Sequence, residues 1–357
     1  MKPYLLAVPL LLVSCEMPGP LVRGMFTRTE ARAAPTAADC ERCHQEVVRE
    51  WRSSLHASAW ESPAFQRASA AGRAAECTGC HAPAPVAEGR PVAMRDLHLA
   101  EGVTCTSCHL SPRPDAPPLS MRGPVSRTSP IEIHPIIEHD PLYRSSELCG
   151  TCHEGTLREW LAVPDPASGE TKPTCQGCHM PAVRRKVESV HDEHAYSALF
   201  VALGEATELR KHTFAVPEIE SGDEVEIALV PVQETGRRAL EVTVSNRLPH
   251  ALPTGSFGRR EVRLAARWAG GSHEERLSRA LGQSIPSGGE WRARIALPPG
   301  VDPAGVEVAL ERWERRTQAW QTLARAKPGG AQEPGRSGAV RKETDRLASA
   351  SRERGVR

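Results

Sequence analysis

With 45 basic and 44 acidic side chains in 357 residues, the chain has a formal net charge of +1, so it lacks the concentrated basic face that nucleic-acid binding requires. Aromatic residues make up 4% and apolar residues 39% of the total, which leaves little conventional core for a length that suits roughly two or three domains. The 11 cysteines carry most of the information.

The chain starts with a positive residue, Lys2, and an apolar run from Tyr4 to Val13 that is too short to span a bilayer as a helix. This reads as an export signal over residues 1–14. Leu12-Val13-Ser14-Cys15 resembles a bacterial lipobox, in which Cys15 is lipidated and becomes the mature N-terminus. Residues 15–38, mixed in Pro, Gly, Arg and Ala, suit a tether. The expected location is therefore periplasmic or outer-membrane, with membrane contact through the lipid anchor.

Five copies of Cys-x-x-Cys-His follow: Cys40, Cys43 and His44; Cys77, Cys80 and His81; Cys105, Cys108 and His109; Cys149, Cys152 and His153; and Cys175, Cys178 and His179. This is the attachment signal for c-type haem, in which two thiols form thioethers to the porphyrin edge and the adjacent imidazole takes the iron as proximal ligand. Zinc and disulfides compete for paired cysteines. Histidine is 14 of 357 residues, so its chance occurrence after all five pairs is on the order of one in ten million. Zinc needs no histidine at that fixed place, and five pairs leave one over after two four-thiolate sites. A two-residue spacing suits a redox-active pair better than a structural staple. Five covalently bound haem c groups are expected over residues 39–200, with porphyrin faces supplying buried area that side chains do not. Short helices are expected where each motif closes. Each next motif starts 22 to 40 residues after the previous histidine, so no simple repeat is expected.

After His44, the residues Val47, Val48, Trp51, Leu55 and Ala59 recur at helical spacing, which predicts one helix running past His56. At a rise of about 1.5 Å per residue, His44 and His56 stand roughly 18 Å apart along such a helix, too far to share one iron. His56 is therefore expected on a neighbouring haem. The five proximal ligands leave nine histidines for distal positions: His56, His98, His134, His139, His191, His194, His212, His250 and His273.

Residues 201–215 read as a connector. From about residue 216 the pattern alternates, with Val225, Ile227 and Leu229, then Leu240, Val242 and Val244, around turn residues Glu234 to Arg237. Further runs at Val262 to Trp268, Trp291 to Leu297 and Val306 to Leu310 predict a small antiparallel β-sandwich over residues 216–314. Residues 315–357 are polar and predict a disordered tail. The fold class expected is a mainly α/irregular multihaem cytochrome c domain followed by that sandwich.

Several local patterns resemble the multihaem c-type cytochromes related to the tetrahaem cytochrome of hydroxylamine oxidation, over roughly residues 38 to 312. Trp51-Arg-Ser-Ser54-Leu-His56 matches its Trp-x-x-Ser-x-His, Gly102-Val-Thr-Cys105 and Leu148-Cys149-Gly match motif flanks, and His179-Met-Pro is another match. The resemblance implies His56 and His98 as distal ligands. His194-Ala-Tyr-Ser is similar to the family's His-x-Phe-Pro, with Ala198 in place of the usual following glycine. Asn246-Arg-Leu-Pro-His250-Ala-Leu-Pro253-Thr-Gly255 is similar to an Asn...Gly-His-x-x-Pro-Thr-Gly loop in relatives with a C-terminal sandwich, although Pro249 replaces the glycine. Candidate distal ligands are thus His56, His98, His139, His194 and His250. The expected function is electron relay between redox partner proteins at the cell envelope. The alternative is an oxidoreductase with one open iron acting on a small nitrogen or sulfur species. In such enzymes the active haem's motif typically departs from the standard, and none departs here.

Overall fold

The computed structural model describes residues 35–329 apart from 71, 73–74, 118, 125–135, 167–168, 170, 188–204, 217–223, 235, 256–259 and 315–317. The signal, Cys15, most of the tether, His134, His191 and His194 lie outside the described residues. No described helix is long and apolar enough to cross a membrane.

The N-terminal half is built of short helices, most of them single turns at the attachment motifs. They are α1 (Ala37–Glu41), α2 (Gln45–Arg52), α3 (Pro63–Ala68), α4 (Ala75–His81), α5 (Cys105–His109), α6 (Glu147–Gly150), α7 (Glu154–Ala162) and α8 (Cys175–His179). One helical turn puts residues i, i+3 and i+4 on one face, so both sulfurs and the imidazole point the same way. Threonines start three of these turns. Thr36 and Asp39 cap reciprocally, the Thr104 N–H donates to Ser107 Oγ, and Thr174 Oγ1 accepts from the Gly177 N–H.

Cys43 corrects the expectation that a short helix closes each motif. Helix α1 ends at Glu41, so Cys40 lies on the helix while Cys43 lies on the turn that follows it, half-buried. The physical reason is that α1 starts early, at its Thr36 cap, and is spent before the motif closes. The turn still keeps helical spacing, because the Cys43 and His44 N–H groups both donate to Cys40 O, at 3.1 and 2.9 Å. Cys152 departs in the same way: α6 ends at Gly150, and the Cys152 N–H donates to Cys149 O at 3.2 Å. In motifs two, three and five, by contrast, both cysteines and the histidine are within one helix.

Helix α2 ends at Arg52, where Ser53 caps it, so the single helix expected to run past His56 is two elements. The apolar spacing persists across a series of turns, and His56 lies on those turns. The Ser54 hydroxyl accepts the Ala57 N–H, which favours a turn there. Side-chain core is sparse in this half, where Ala37, Val48 and Trp51 form a small buried cluster with Cys40, Ala57, Cys105 and Phe214 against it.

Two small sheets connect this half. Strands β1 (Met121–Gly123) and β2 (Ile136–His139) pair in parallel, and β3 (Ala182–Arg185) pairs antiparallel with β4 (Thr207–Arg210). Strand β4 falls inside the expected 201–215 connector. That segment is thus tied to the strand following the fifth motif, and a further bond from the Lys211 N–H to the Pro181 carbonyl leads the chain into His212.

The C-terminal half has β5 (Val225–Glu234), β6 (Arg237–Asn246), β7 (Glu261–Trp268), β8 (Gly271–Ser278), β9 (Glu290–Ala296), β10 (Glu307–Glu314) and β11 (Ala319–Ala326). They form two antiparallel sheets, in the orders β5-β6-β9 and β11-β10-β7-β8. Val225, Ile227, Leu240, Val242 and Val244 of the first sheet share one buried cluster with Val262, Leu264, Val308, Leu310 and Leu323 of the second. Strand β11 corrects the expected tail at 315–357. Leu323, Ala324 and Ala326 are buried there, and the strand pairs along β10.

Candidate haem-binding centre

The five proximal histidines end or follow their helical turns, and four of them anchor Nδ1 at a backbone carbonyl. His44 reaches Val187 O at 3.0 Å, His81 Ala59 O at 2.7 Å, His109 Arg122 O at 3.0 Å and His179 Ala215 O at 3.0 Å. An imidazole whose Nδ1–H donates to a carbonyl presents Nε2 as the free ligating nitrogen and is held in one orientation. Two distal candidates show the same feature: His212 Nδ1 lies 2.9 Å from Arg210 O and His250 Nδ1 3.1 Å from Ala251 O.

The rings meet in three pairs. His109 and His212 have centroids 6.1 Å apart, His153 and His56 6.2 Å, and His179 and His250 6.5 Å. Metal–imidazole bonds of about 2 Å, with about 1 Å more from each nitrogen to its ring centre, place two axial imidazoles of one metal about 6 Å apart, centre to centre. Each pair joins one motif histidine to one histidine from elsewhere in the chain. No group of three or more His, Cys, Asp or Glu side chains among the described residues converges as a protein-only metal cage does. A porphyrin supplies the four equatorial nitrogens that such pairs lack, so the residues fit the group.

Electrostatics point the same way. Burial, then the neighbouring His153 and His212, pulls the His56 imidazole down to about 3. Burial pulls His153 and His212 down to about 4 and lowers His250 as well. These rings are held neutral at ordinary pH, the form that ligates a metal. His153 nevertheless keeps an exposed surface.

None of the ten described cysteines forms a disulfide, and each is partly accessible. Cysteines of different motifs neighbour one another: Cys40 and Cys105, Cys80 and Cys152, and Cys149 and Cys175. Motif one is thereby placed beside three, two beside four, and four beside five. In motif one it is Cys40, on α1, that lies beside the neighbouring motif. Cys43, on the turn beyond α1, follows it at the spacing that two thioethers to one porphyrin require.

The family patterns acquire physical reasons. Gly102 has φ +59°, and a Cβ there would stand 2.3 Å from the His56 carbonyl oxygen. The Val103 N–H donates to that same oxygen at 2.9 Å, and the Trp51 indole donates to Val103 O at 2.7 Å. Trp51, His56 and Gly102-Val103 are thus one interlocked unit. In the β region, buried Asn246 donates Nδ2 to His250 O at 2.9 Å and to Ile285 O at 3.0 Å, which folds the loop that carries His250.

Among the other candidates, His98 is exposed with a left-handed backbone and belongs to none of the three pairs. His139 ends β2, its backbone opposite Gly123. His212 was among the nine available histidines without being singled out. Its signal is His212-Thr-Phe214, a closer match to His-x-Phe than His194-Ala-Tyr. Phe214 packs edge-on between His56 and His212, with centroids 4.3 and 5.9 Å away.

A family model described as cytochrome c554 and c-prime matches residues 39–110. This stretch of the chain is similar to the multihaem c-type cytochromes. The fold of the chain is similar to that of a penta-heme cytochrome c552 from Thermochromatium tepidum, with a TM-score of 0.50, 16% identity, and coverage of 85% of this chain and 99% of that chain. No curated protein matches. The family model spans the first three attachment motifs and includes His56 and His98. The similarity supports covalently bound haem c, and the C-terminal β region holds antiparallel sheets, as expected from the sequence.

Proposed function

We propose that the chain is an envelope-anchored pentahaem cytochrome that relays electrons through mostly bis-histidine haems. The observation that carries the reading is the set of three imidazole pairs at the spacing of axial ligands on one metal. When bound, haem supplies an iron that takes up and releases one electron, and two histidine ligands favour transfer over substrate binding. The pairs Cys40 and Cys43, Cys77 and Cys80, Cys105 and Cys108, Cys149 and Cys152, and Cys175 and Cys178 hold the five groups, with His44, His81, His109, His153 and His179 beneath them. His56, His212 and His250 hold the opposite faces of motifs four, three and five.

The neighbouring cysteines of different motifs support close packing in the order one, three, and two, four, five, as a relay needs. The shared core of the two C-terminal sheets supports a sandwich. His250 makes that sandwich an integral wall of the fifth site. Cys15 is the proposed lipid anchor, and the partners are redox proteins of the cell envelope. Intact mass spectrometry of the exported protein tests the count. Five haem groups on a lipidated chain starting at Cys15 are expected, and four or fewer would remove a motif from the account.

A further inference from the structure

Two of the five motifs are followed directly by a helix of at least eight residues, and those two helices resemble one another. His44 leads into α2 with φ −117° and ψ 44°, and His153 into α7 with φ −99° and ψ 42°. At the same offsets, each then carries Arg-Glu-Trp: Arg49-Glu50-Trp51 and Arg158-Glu159-Trp160.

The glutamates make equivalent contacts. Glu50 accepts the His212 N–H at 2.9 Å and a two-point bond from Arg185 at 2.7 and 2.9 Å. Glu159 accepts the Ala251 N–H at 3.1 Å, the Thr254 hydroxyl at 2.6 Å, the Gly255 N–H at 3.3 Å and Arg279 at 3.1 Å. Gly255 is required for the approach: at φ +86°, a Cβ would come within 3.1 Å of the Thr156 hydroxyl on α7. Both carboxylates are mostly buried, with 14% and 21% of the side chain exposed. A buried carboxylate is costly unless charged and N–H donors surround it, and these glutamates have both.

The tryptophans match as well. The Trp51 indole donates to Val103 O at 2.7 Å, and the Trp160 indole to Pro173 O at 3.0 Å. Val103 is two residues before Cys105, and Pro173 is two residues before Cys175. Each helix therefore holds one other motif at two points. Its Trp fixes the start of the attachment turn, and its Glu fixes the loop bearing the axial partner, His212 for motif three and His250 for motif five. These are also motif pairs whose cysteines neighbour one another, one with three and four with five.

We infer that Glu50-Trp51 and Glu159-Trp160 are equivalent clamps, each a pair of positioning residues by which the helix of one motif sets the axial geometry of the neighbouring haem. The inference rests on the axial pairing proposed above. It makes the relay two similar two-haem units, one-three and four-five, with motif two attached beside four. Each clamp acts across a transfer step, so loosening it disturbs the neighbouring site and spares the site on its own helix.

The test uses full-length holoprotein with His250→Ala, Glu159→Ala, Glu159→Gln, the Glu159→Ala/His250→Ala double variant, and Glu154→Ala as a control on the exposed side of the same helix. Paramagnetic resonance counts high-spin ferric haems, and carbon monoxide uptake by the reduced protein counts accessible irons. We expect His250→Ala to free one haem, Glu159→Ala to free part of that same haem, and the double variant to free one in total. Glu159→Gln keeps an acceptor of the same shape, so its haem stays low-spin with a raised midpoint potential, because a nearby negative charge is gone. Glu154→Ala changes neither readout. Unaltered spin counts in Glu159→Ala together with unmoved potentials in Glu159→Gln would overturn the clamp. A second haem freed in the double variant would also overturn it. If His250→Ala frees none, the axial pairing itself is wrong and the clamp falls with it.

Discussion

The Gly102→Ala variant puts the interlock between the first and third motifs under a defined load. Gly102 adopts φ 59° and ψ −131°, a region that costs a residue with a side chain about 1–3 kcal/mol. The added methyl would lie 2.3 Å from the His56 oxygen and 2.9 Å from the Ala57 oxygen, both backbone atoms that yield only if the turn moves. Such overpacking costs a further ~1–3 kcal/mol. Moving the turn also breaks the 2.9 Å bond from the Val103 N–H to His56 O, worth about 1 kcal/mol. The sum is roughly 3–7 kcal/mol, a large share of the stability of an ordinary domain. The strain falls on the backbone of His56, so its imidazole should leave the face opposite His153. Guanidinium unfolding followed by circular dichroism reads the first effect, and carbon monoxide difference spectra of the reduced protein read the second. A loss of at least about 3 kcal/mol with one haem newly reactive is expected. A loss below about 1 kcal/mol with an unchanged difference spectrum would refute the interlock.

Three further outcomes are expected. His212→Ala should free the iron above His109 and add one high-spin haem to the count by paramagnetic resonance, whereas His98→Ala should add none. Truncation before residue 315 removes β11 and exposes the cluster around Leu310 and Val308, so the β region should lose more than about 3 kcal/mol in a thermal melt. Asn246→Ala leaves the His250, Ile285 and Pro286 carbonyls without their shared donor. It should cost about 1–3 kcal/mol and partly free the fifth haem, as read by the same difference spectrum.

The attachment motifs were fully legible because covalent chemistry fixes their spacing. Their local structure was less so: α1 and α6 end inside their motifs, at Glu41 and Gly150, and Cys43 and Cys152 sit on the turns beyond. The local patterns that carry His56 and His250 are explained in the structure as contacts of Gly102 and Asn246. The helical argument for His56 failed in its premise: apolar spacing does not distinguish a continuous helix from a helix followed by turns on the same side. His212 was obscured because nothing local says which motif it neighbours; strand β4 and the Glu50 carboxylate place it beside His109. The Arg-Glu-Trp correspondence was visible in the sequence. Its meaning required seeing that both glutamates hold other motifs' ligands. In the β region, β8 was missed because its residues Gly271–Ser278 are mostly polar and the strand lies at the sheet edge. Strand β11 was missed for a different reason. The register slips between Leu310 and Glu311, leaving Leu323 as the extra residue, so Leu323 and Ala324 are buried in succession and the alternation breaks.

The most direct test of the central claim is carbon monoxide titration of the dithionite-reduced, full-length protein, with uptake expressed per haem. Histidine pairs on the irons of motifs three, four and five predict that no more than two of the five haems take up the gas. Uptake by three or more would contradict electron relay through bis-histidine sites and direct attention to chemistry at open iron.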